Sequence, residues 1–339
     1  MRVPDAAKKL LVVRLSSLGD IVHSLPGIAA IRAAVPDAEI HWLVARVWAP
    51  VLEGSPVANR LIYFDRGKTF RIAGTVGELR AERYDTAVDF QGLYKSAMLT
   101  LFSGAARRVG FHRLSAREPG AAIFYNDRVH AGGPHRVQKN LSLAERFGAP
   151  RDAEPKFPFR VSDAAAQSVR ERLAAQGIDK YWVALPGGGW VGKLWPAERY
   201  GALCREVERR LGLRALLIGG VGEQSLADAA IAVAAPAVPI RFPTTLPELM
   251  AVLARARFVV GGDTGPVHLA AALGVPVVGL YGPTDPAQTG PYTKKAVIVR
   301  NAQDHETSYR FSASPSRTML SITVEQVIAA VEQVQAIRT

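Results

Sequence analysis

The chain has 339 residues, 48% of them hydrophobic and 21% charged, and its formal net charge is +12. This composition excludes a disordered chain, and no apolar run approaches the roughly 20 residues that a membrane-spanning helix needs. A single cysteine, Cys204, excludes an internal disulfide framework and fits a reducing cytoplasm, and the length favours two domains over one core.

The charge is uneven. Residues 1–160 hold 24 Lys and Arg against 15 Asp and Glu, whereas residues 161–339 hold 18 against 15. The first half is therefore expected to meet something acidic: nucleic acid, an anionic membrane surface or a polyanionic substrate. Arginine spread over solvated faces is the plainer alternative.

The N-terminus, MRVPDAAKKLLVVRLSSLGD, carries an early Asp and lacks a cleavage signal, so it reads as a strand rather than a signal peptide. The apolar run LLVVRL (10–15) breaks into SSLGD (16–20), and a helical pattern follows. A strand that turns into a helix through such a loop suits a phosphate, yet this loop ends in the carboxylate Asp20. Taken alone, Asp20 is equally well read as a helix cap or as a catalytic base. Pro26 should kink the following helix or delay its regular part. Further strands are predicted at 39–44, 61–64, 86–89 and 108–110, with helices at 28–34, 76–82 and 95–103. Short apolar strands alternating with helices imply a parallel sheet covered on both faces. Two basic clusters stand out: DRGKTFR, with Arg66, Lys68 and Arg71, and RRVGFHRLSAREP, with Arg113 and Arg117.

The segment APRDAEPKFPFRVSD (149–163) reads as a linker, and the pattern then restarts. Strands are predicted at 182–185, 214–218, 258–260 and 277–280. Helices are predicted at 197–211, 224–234, 246–254, 267–273 and finally 323–337. Cys204 falls within the amphipathic YGALCREVERRLG and is expected to pack in a core. In GGDTGPVH, the turn Asp263-Thr264-Gly265 leads straight from a strand into a helix, with Pro266 suited to its first turn. The free amides of that turn would bind an anion, Thr264 could add a hydroxyl, and His268 lies one turn on. A cap formed by Asp263 or Thr264 is the plainer reading. In LPGGGWVGKLWP, Lys193 is placed to neutralise a phosphate. Glu223, just past a strand, could accept hydrogen bonds from a ribose diol, or merely favour a helix N-terminus.

The second half thus reads as a nucleotide-diphosphate domain. It lacks G-x-x-x-x-G-K-[ST], and no G-x-G-x-x-G follows the first strand, which argues against a P-loop hydrolase and a dinucleotide oxidoreductase. With no Asp-x-Asp and scattered histidines, no metal ligand set is visible. The absence of an aromatic-basic motif weakens a nucleic-acid role.

In chain order, SSLGD (16–20), QGLYKSA (91–97), REP (117–119) with FYN (124–126), KLWP (193–196), DTGPVHLAAALG (263–274) and YGPTDP (281–286) resemble the motifs of the ADP-heptose:lipopolysaccharide heptosyltransferases. The resemblance implies an α/β GT-B fold, with two Rossmann-like doubly wound parallel-sheet domains facing across a cleft. Residues 1–160 would bind the acceptor and 161–320 the nucleotide sugar, and the helix in 321–339 would pack back toward the first domain. It implies inverting, metal-independent and cofactor-free transfer of heptose from ADP-heptose to Kdo on lipid A. The enzyme would be a cytoplasmic monomer, peripheral to the inner face of the inner membrane, with no nucleic-acid partner. Asp20 would be the general base, and Lys193 would stabilise the leaving diphosphate. Donor contacts would be Ser17, Gly188, Trp195, Glu223, Asp263, Thr264, Gly265 and His268. Acceptor contacts would be Arg66, Lys68, Arg71, Gln91, Lys95, Arg113 and Arg117, of which Lys68, Lys95 and Arg117 match best. Another GT-B transferase, or a nucleotide-sugar-binding protein without catalysis, would carry similar motifs. The loop PGGGWVG is richer in glycine than the family pattern, and residues 305–317 match nothing in it.

Overall fold

The computed structural model describes residues 8–65, 69–220 and 222–337. Arg66 and Lys68 lie outside the described residues. The chain divides into two compact units, residues 1–160 and 161–339.

The first unit runs β1 (Lys9–Val13), α1 (Leu18–Ala34), β2 (Glu39–Ala45), β3 (Arg60–Phe64), α2 (Thr69–Ala81), β4 (Thr86–Asp89), α3 (Tyr94–Phe102), β5 (Arg107–Phe111), β6 (Asp127–Val129) and α4 (Arg136–Ala144). All strands are parallel, in the order β3-β2-β1-β4-β5-β6. Leu10 to Val13 are fully buried, as expected of a strand covered on both faces. In this order the connections leave β1 and β4 in opposite directions, which opens a crevice beyond their carboxyl ends.

The second unit runs α5 (Asp163–Ala174), β7 (Tyr181–Leu185), α6 (Ala197–Leu211), β8 (Arg214–Leu217), α7 (Gln224–Ala232), β9 (Ile240–Arg241), α8 (Leu246–Arg255), β10 (Val259–Gly262), α9 (Gly265–Ala272), β11 (Val277–Leu280), α10 (Pro286–Thr289), β12 (Ala296–Val299), α11 (Arg317–Leu320) and α12 (Val324–Ala336). Its sheet order, β12-β11-β10-β7-β8-β9, repeats the topology of the first unit, with the crevice between β7 and β10. The helix expected to return to the first domain is α12. Within its own unit it buries Val327, Val331 and Val334 against β12, β11 and α6. Cys204 is buried in the same core, and burial pushes its thiol up to about 12.

Pro26 does not delay the regular part of its helix: α1 is helical from Leu18 and carries the proline inside. A helix-interior proline loosens hydrogen bonding in the preceding turn. The carbonyl that Pro26 leaves without its helical donor is that of Val22; beside it, Asn140 of α4 donates from Nδ2 to the His23 carbonyl at 2.9 Å and ties α4 to this turn. The approach of α4 is close enough that a Cβ on Gly27 would lie 2.7 Å from the Asn140 carbonyl oxygen. Asn140→Ala should therefore remove this buried hydrogen bond and cost about 0.5–1.5 kcal/mol of stability. A lowered Tm in thermal unfolding, larger than that of Pro26→Ala, would register it.

Candidate active site

In the first unit the crevice residues come from the loops after β1 and β4. Ser17 is the N-cap of α1, and Asp20, three residues on, accepts from both the Ser17 amide and hydroxyl at 3.3 Å. Asp20 therefore does take part in capping, as the reciprocal partner rather than the cap. Its two oxygens also meet two arginines: Oδ1 is 2.9 Å from Arg14 and Oδ2 is 3.1 Å from Arg117. Burial alone would push the Asp20 carboxyl up. The charges of Arg14, Arg117, Arg136 and His23 outweigh it and hold the group well below the usual carboxylate range. Arg14 is itself buried, and its second amino group donates to the Phe90 carbonyl at 2.6 Å, so the carboxylate is held from below by a fixed cation.

Gln91 lies in the frame beneath this carboxylate. Its Oε1 accepts from the Leu15 amide at 2.8 Å, tying the two crevice loops together. Asp89 at the end of β4 accepts from the amides of Gln91 and Gly92 and from the Tyr125 hydroxyl. Burial raises its pKa, and these bonds act against the rise. A cavity of about 420 Å³ opens beside Ser16 and Ser17, walled by Arg46, Trp48, Phe64 and Asp65. Lys95 reaches over the Phe64 ring at 4.2 Å, at the edge of this cavity. Arg113 is exposed on the loop after β5, and Arg71 falls in α2.

In the second unit a denser cluster sits beyond β7 and β10. Asp263 is buried; its Oδ2 is 2.6 Å from Lys193 Nζ and its Oδ1 is 3.1 Å from His268 Nε2. The Thr289 hydroxyl donates to Oδ2 at 3.4 Å. Burial pushes the Asp263 carboxyl up, but His268 and Lys193 outweigh it and keep it ionised. Thr264 is the N-cap of α9, and its buried Oγ1 has no hydrogen-bond partner among the described residues. An orphaned hydroxyl beside the free amides at Gly265 and a lysine ammonium is suited to an anion.

Glu223 holds this site's loops together: Oε1 accepts from the Gly188 amide at 2.9 Å and Oε2 from the Gly220 amide at 2.6 Å. Each oxygen keeps a lone pair for a further donor. Gly187 packs directly on the Glu223 carboxylate, where any side chain would collide. Gly187→Ala should displace the Glu223 carboxylate from the Gly188 and Gly220 amides, a loss of about 1 kcal/mol because the side chain's end can swing away. A drop in Tm, together with faster hydrogen exchange at Gly188 and Gly220, would record it.

Trp195 corrects an expectation. It is 1% exposed and belongs to the core, edge-on to Tyr200, with its indole N–H donated to the Ile322 carbonyl. The aromatic residue of this loop that does reach the surface is Trp190, which lies under the Lys193 ammonium at 5.7 Å. Residues 305–317 fold over the same loop: Phe311 stacks on Trp190, and the Ser316 amide donates to the Gly192 carbonyl. Arg310 and Arg317 help wall a cavity of about 260 Å³ between them. Arg14, Trp48 and Trp190 were not among the expected site residues. A charge ending the buried run LLVVRL was the available signal for Arg14.

Among the described residues, one group has metal-ligand spacing: Glu39, His41 and Glu82. It lies at the amino-terminal edge of the first sheet, and its carboxylates are paired with Lys9 and Arg60.

Two doubly wound units of like topology, with charged clusters at both switch points, are the architecture of the GT-B class. The model of glycosyltransferase family 9 (heptosyltransferase) matches residues 75–315, and the chain belongs to that family. It is 34% identical over 306 residues to lipopolysaccharide heptosyltransferase 1 of Pseudomonas aeruginosa, covering 85% of this chain and 82% of the relative. It is 31% identical to lipopolysaccharide heptosyltransferase 1 of Escherichia coli, covering 88% and 95% of the two chains. Among solved structures, E. coli heptosyltransferase WaaC with ADP superimposes with a TM-score of 0.78 at 27% identity, covering 96% of this chain and 99% of that one. E. coli ADP-heptose lipopolysaccharide heptosyltransferase II does so with a TM-score of 0.80 at 22% identity, covering 97% and 99%.

Proposed function

We propose that this glycosyltransferase moves heptose from ADP-heptose to a Kdo residue of lipid A-linked lipopolysaccharide core, by a single inverting displacement without a metal, at the inner face of the inner membrane. The observation that carries the reading is the orphaned Thr264 hydroxyl at the N-terminus of α9, beside the Lys193–Asp263–His268 cluster. This is a preorganised seat for a leaving diphosphate, where developing negative charge is best stabilised. The names of the relatives agree with the donor and the core acceptor.

In this mechanism Asp20 accepts the proton of the attacking hydroxyl as the new glycosidic bond forms. Inversion follows from that one displacement, because no covalent sugar–enzyme bond intervenes. Asp20 is ionised at neutral pH, which a base requires, but its two arginines make it a weak one. Arg117, whose side chain is 45% exposed, is the partner that an acceptor carboxylate can draw away. Its departure would return basicity to Asp20 once the acceptor is seated. Lys95 and Arg117 serve the anionic acceptor. At the donor, Glu223 accepts from the ribose hydroxyls, Lys193 and α9 hold the diphosphate, and the chain acts as a monomer.

Asp20→Asn should lower kcat by ~10²–10⁴-fold while ADP still raises the Tm as in the wild type. The depressed pKa of Asp20 predicts an acid limb of kcat/KM below the ordinary carboxylate range. Arg117→Ala removes a cation, raises that pKa and should move the limb to higher pH. An unmoved limb would show that another group supplies the base.

Lys193→Ala should weaken ADP binding and turnover together, whereas EDTA should leave wild-type turnover unchanged. Loss of activity on chelation would overturn the metal-free displacement. A thermal-shift comparison of ADP with UDP, GDP and CMP identifies the donor nucleotide by the stabilisation it confers.

A further inference from the structure

The first unit carries an apolar face that no described residue covers. On α3, Tyr94, Met98 and Phe102 recur every four residues and so form one stripe. They are 48%, 41% and 36% exposed, while Ser96, Ala97, Leu99 and Thr100 are buried. The 3-10 turn Pro119–Phe124 packs beside α3 through Ala97, Ala121, Ala122 and Tyr125, and adds Ile123, which is 70% exposed. Single exposed apolar residues are ordinary, but four large ones on two packed elements are not.

Arginines rim this face, each fixed by a backbone carbonyl. Arg80 Nε donates to the Phe102 carbonyl at 3.1 Å, Arg108 Nε to the Phe124 carbonyl at 3.0 Å, and Arg128 Nε to the Ala122 carbonyl at 2.9 Å. None of the three forms an ion pair with another described residue. The nearby carboxylates are already engaged: Glu118 accepts from the Tyr94 amide, and Asp127 pairs with Arg107 and Arg146. The rim is therefore a set of oriented cations with no counter-ion among the described residues, around an apolar centre.

We infer that this face docks on an anionic lipid bilayer. Tyr94, Met98, Phe102 and Ile123 would enter the boundary between headgroups and acyl chains, and Arg80, Arg108 and Arg128 would meet lipid phosphates. Aromatic and apolar side chains flanked by basic ones are what the interface selects, and anionic lipids add attraction for each cation. A second copy of this chain fits less well, because a two-fold contact would set the arginine rim against itself. The same helix carries Lys95 to the edge of the 420 Å³ cavity, so docking through α3 brings the lipid surface to the acceptor side of the unit. The inference rests on the proposed lipid-linked acceptor and names the surface that approaches it.

The test is co-sedimentation of the full chain with sucrose-loaded vesicles of phosphatidylglycerol in phosphatidylethanolamine, and with vesicles of phosphatidylcholine. The wild type should pellet with the anionic vesicles, be released as salt is raised, and stay in solution with phosphatidylcholine. Met98→Glu combined with Ile123→Glu should lower the partition at least ~10-fold, because each places a charge at the boundary. Arg80→Gln combined with Arg128→Gln should lower it on anionic vesicles too. All variants should keep wild-type turnover on a deacylated, water-soluble acceptor and the wild-type thermal shift with ADP, which reads the proposed reaction and the fold separately from docking. Equal partition of wild type and variants would overturn the inference. So would equal wild-type binding to both vesicle types, or a dimer in sedimentation velocity that Met98→Glu abolishes.

Discussion

Both halves of this enzyme depend on one constraint of the parallel sheet. When the connections leave two adjacent strands in opposite directions, no crossover covers the carboxyl ends of that pair, and the loops there can carry side chains that no other part of the sheet could hold. Here those strands are β1 with β4 and β7 with β10. The first pair presents Asp20 and Gln91, and the second presents Lys193 and Asp263. Strand pairing fixes the two loops against each other: Gln91 reaches back to the Leu15 amide, and Lys193 reaches across to Asp263.

Each crevice is stabilised in its charged state by a buried or nearly buried pair. Such pairs are seldom a net gain for stability, since desolvation offsets much of the attraction, but losing one partner strands the other. Arg14 with Asp20 and Lys193 with Asp263 are therefore better understood as devices that keep a charge in place and ionised. The first keeps a carboxylate negative in a site otherwise crowded with cations. The second keeps a lysine fixed beside the N-terminus of α9, where an anion can be met without rearrangement of the protein.

The two clusters also differ in their surroundings. Beside Asp263 lies a hydroxyl without a partner among the described residues, Thr264 Oγ1. Beside Asp20 the surface is cationic: Arg117, paired with Asp20, is exposed, as is Lys95, and farther along α3 comes the arginine-rimmed apolar face.

Much of this was legible from residue order. The alternation of short apolar runs with amphipathic helices was enough for two doubly wound sheets, and strands 86–89 and 277–280 and helix 197–211 carry their predicted bounds. Those segments are buried on a regular period, so side-chain pattern alone reports them. The two-residue β9 and the edge strand β12 were not predicted, because a short strand half open to solvent has little pattern to read. By itself the sequence determined the alternation of strand and helix in both units, the strands at the centre of each sheet and the family. Only the tertiary structure decided what individual side chains do: that Trp195 belongs to the core and Trp190 to the surface, that Asn140 bonds the His23 carbonyl across α1 and α4, that Asp20 is held by Arg14 just past β1, and that the stripe on α3 faces outward. The physical reason is that periodicity records which residues are buried along an element. Which partner satisfies a given charge, carbonyl or ring is settled by contacts between elements far apart in the chain, as between His23 and Asn140, and no local pattern carries that information.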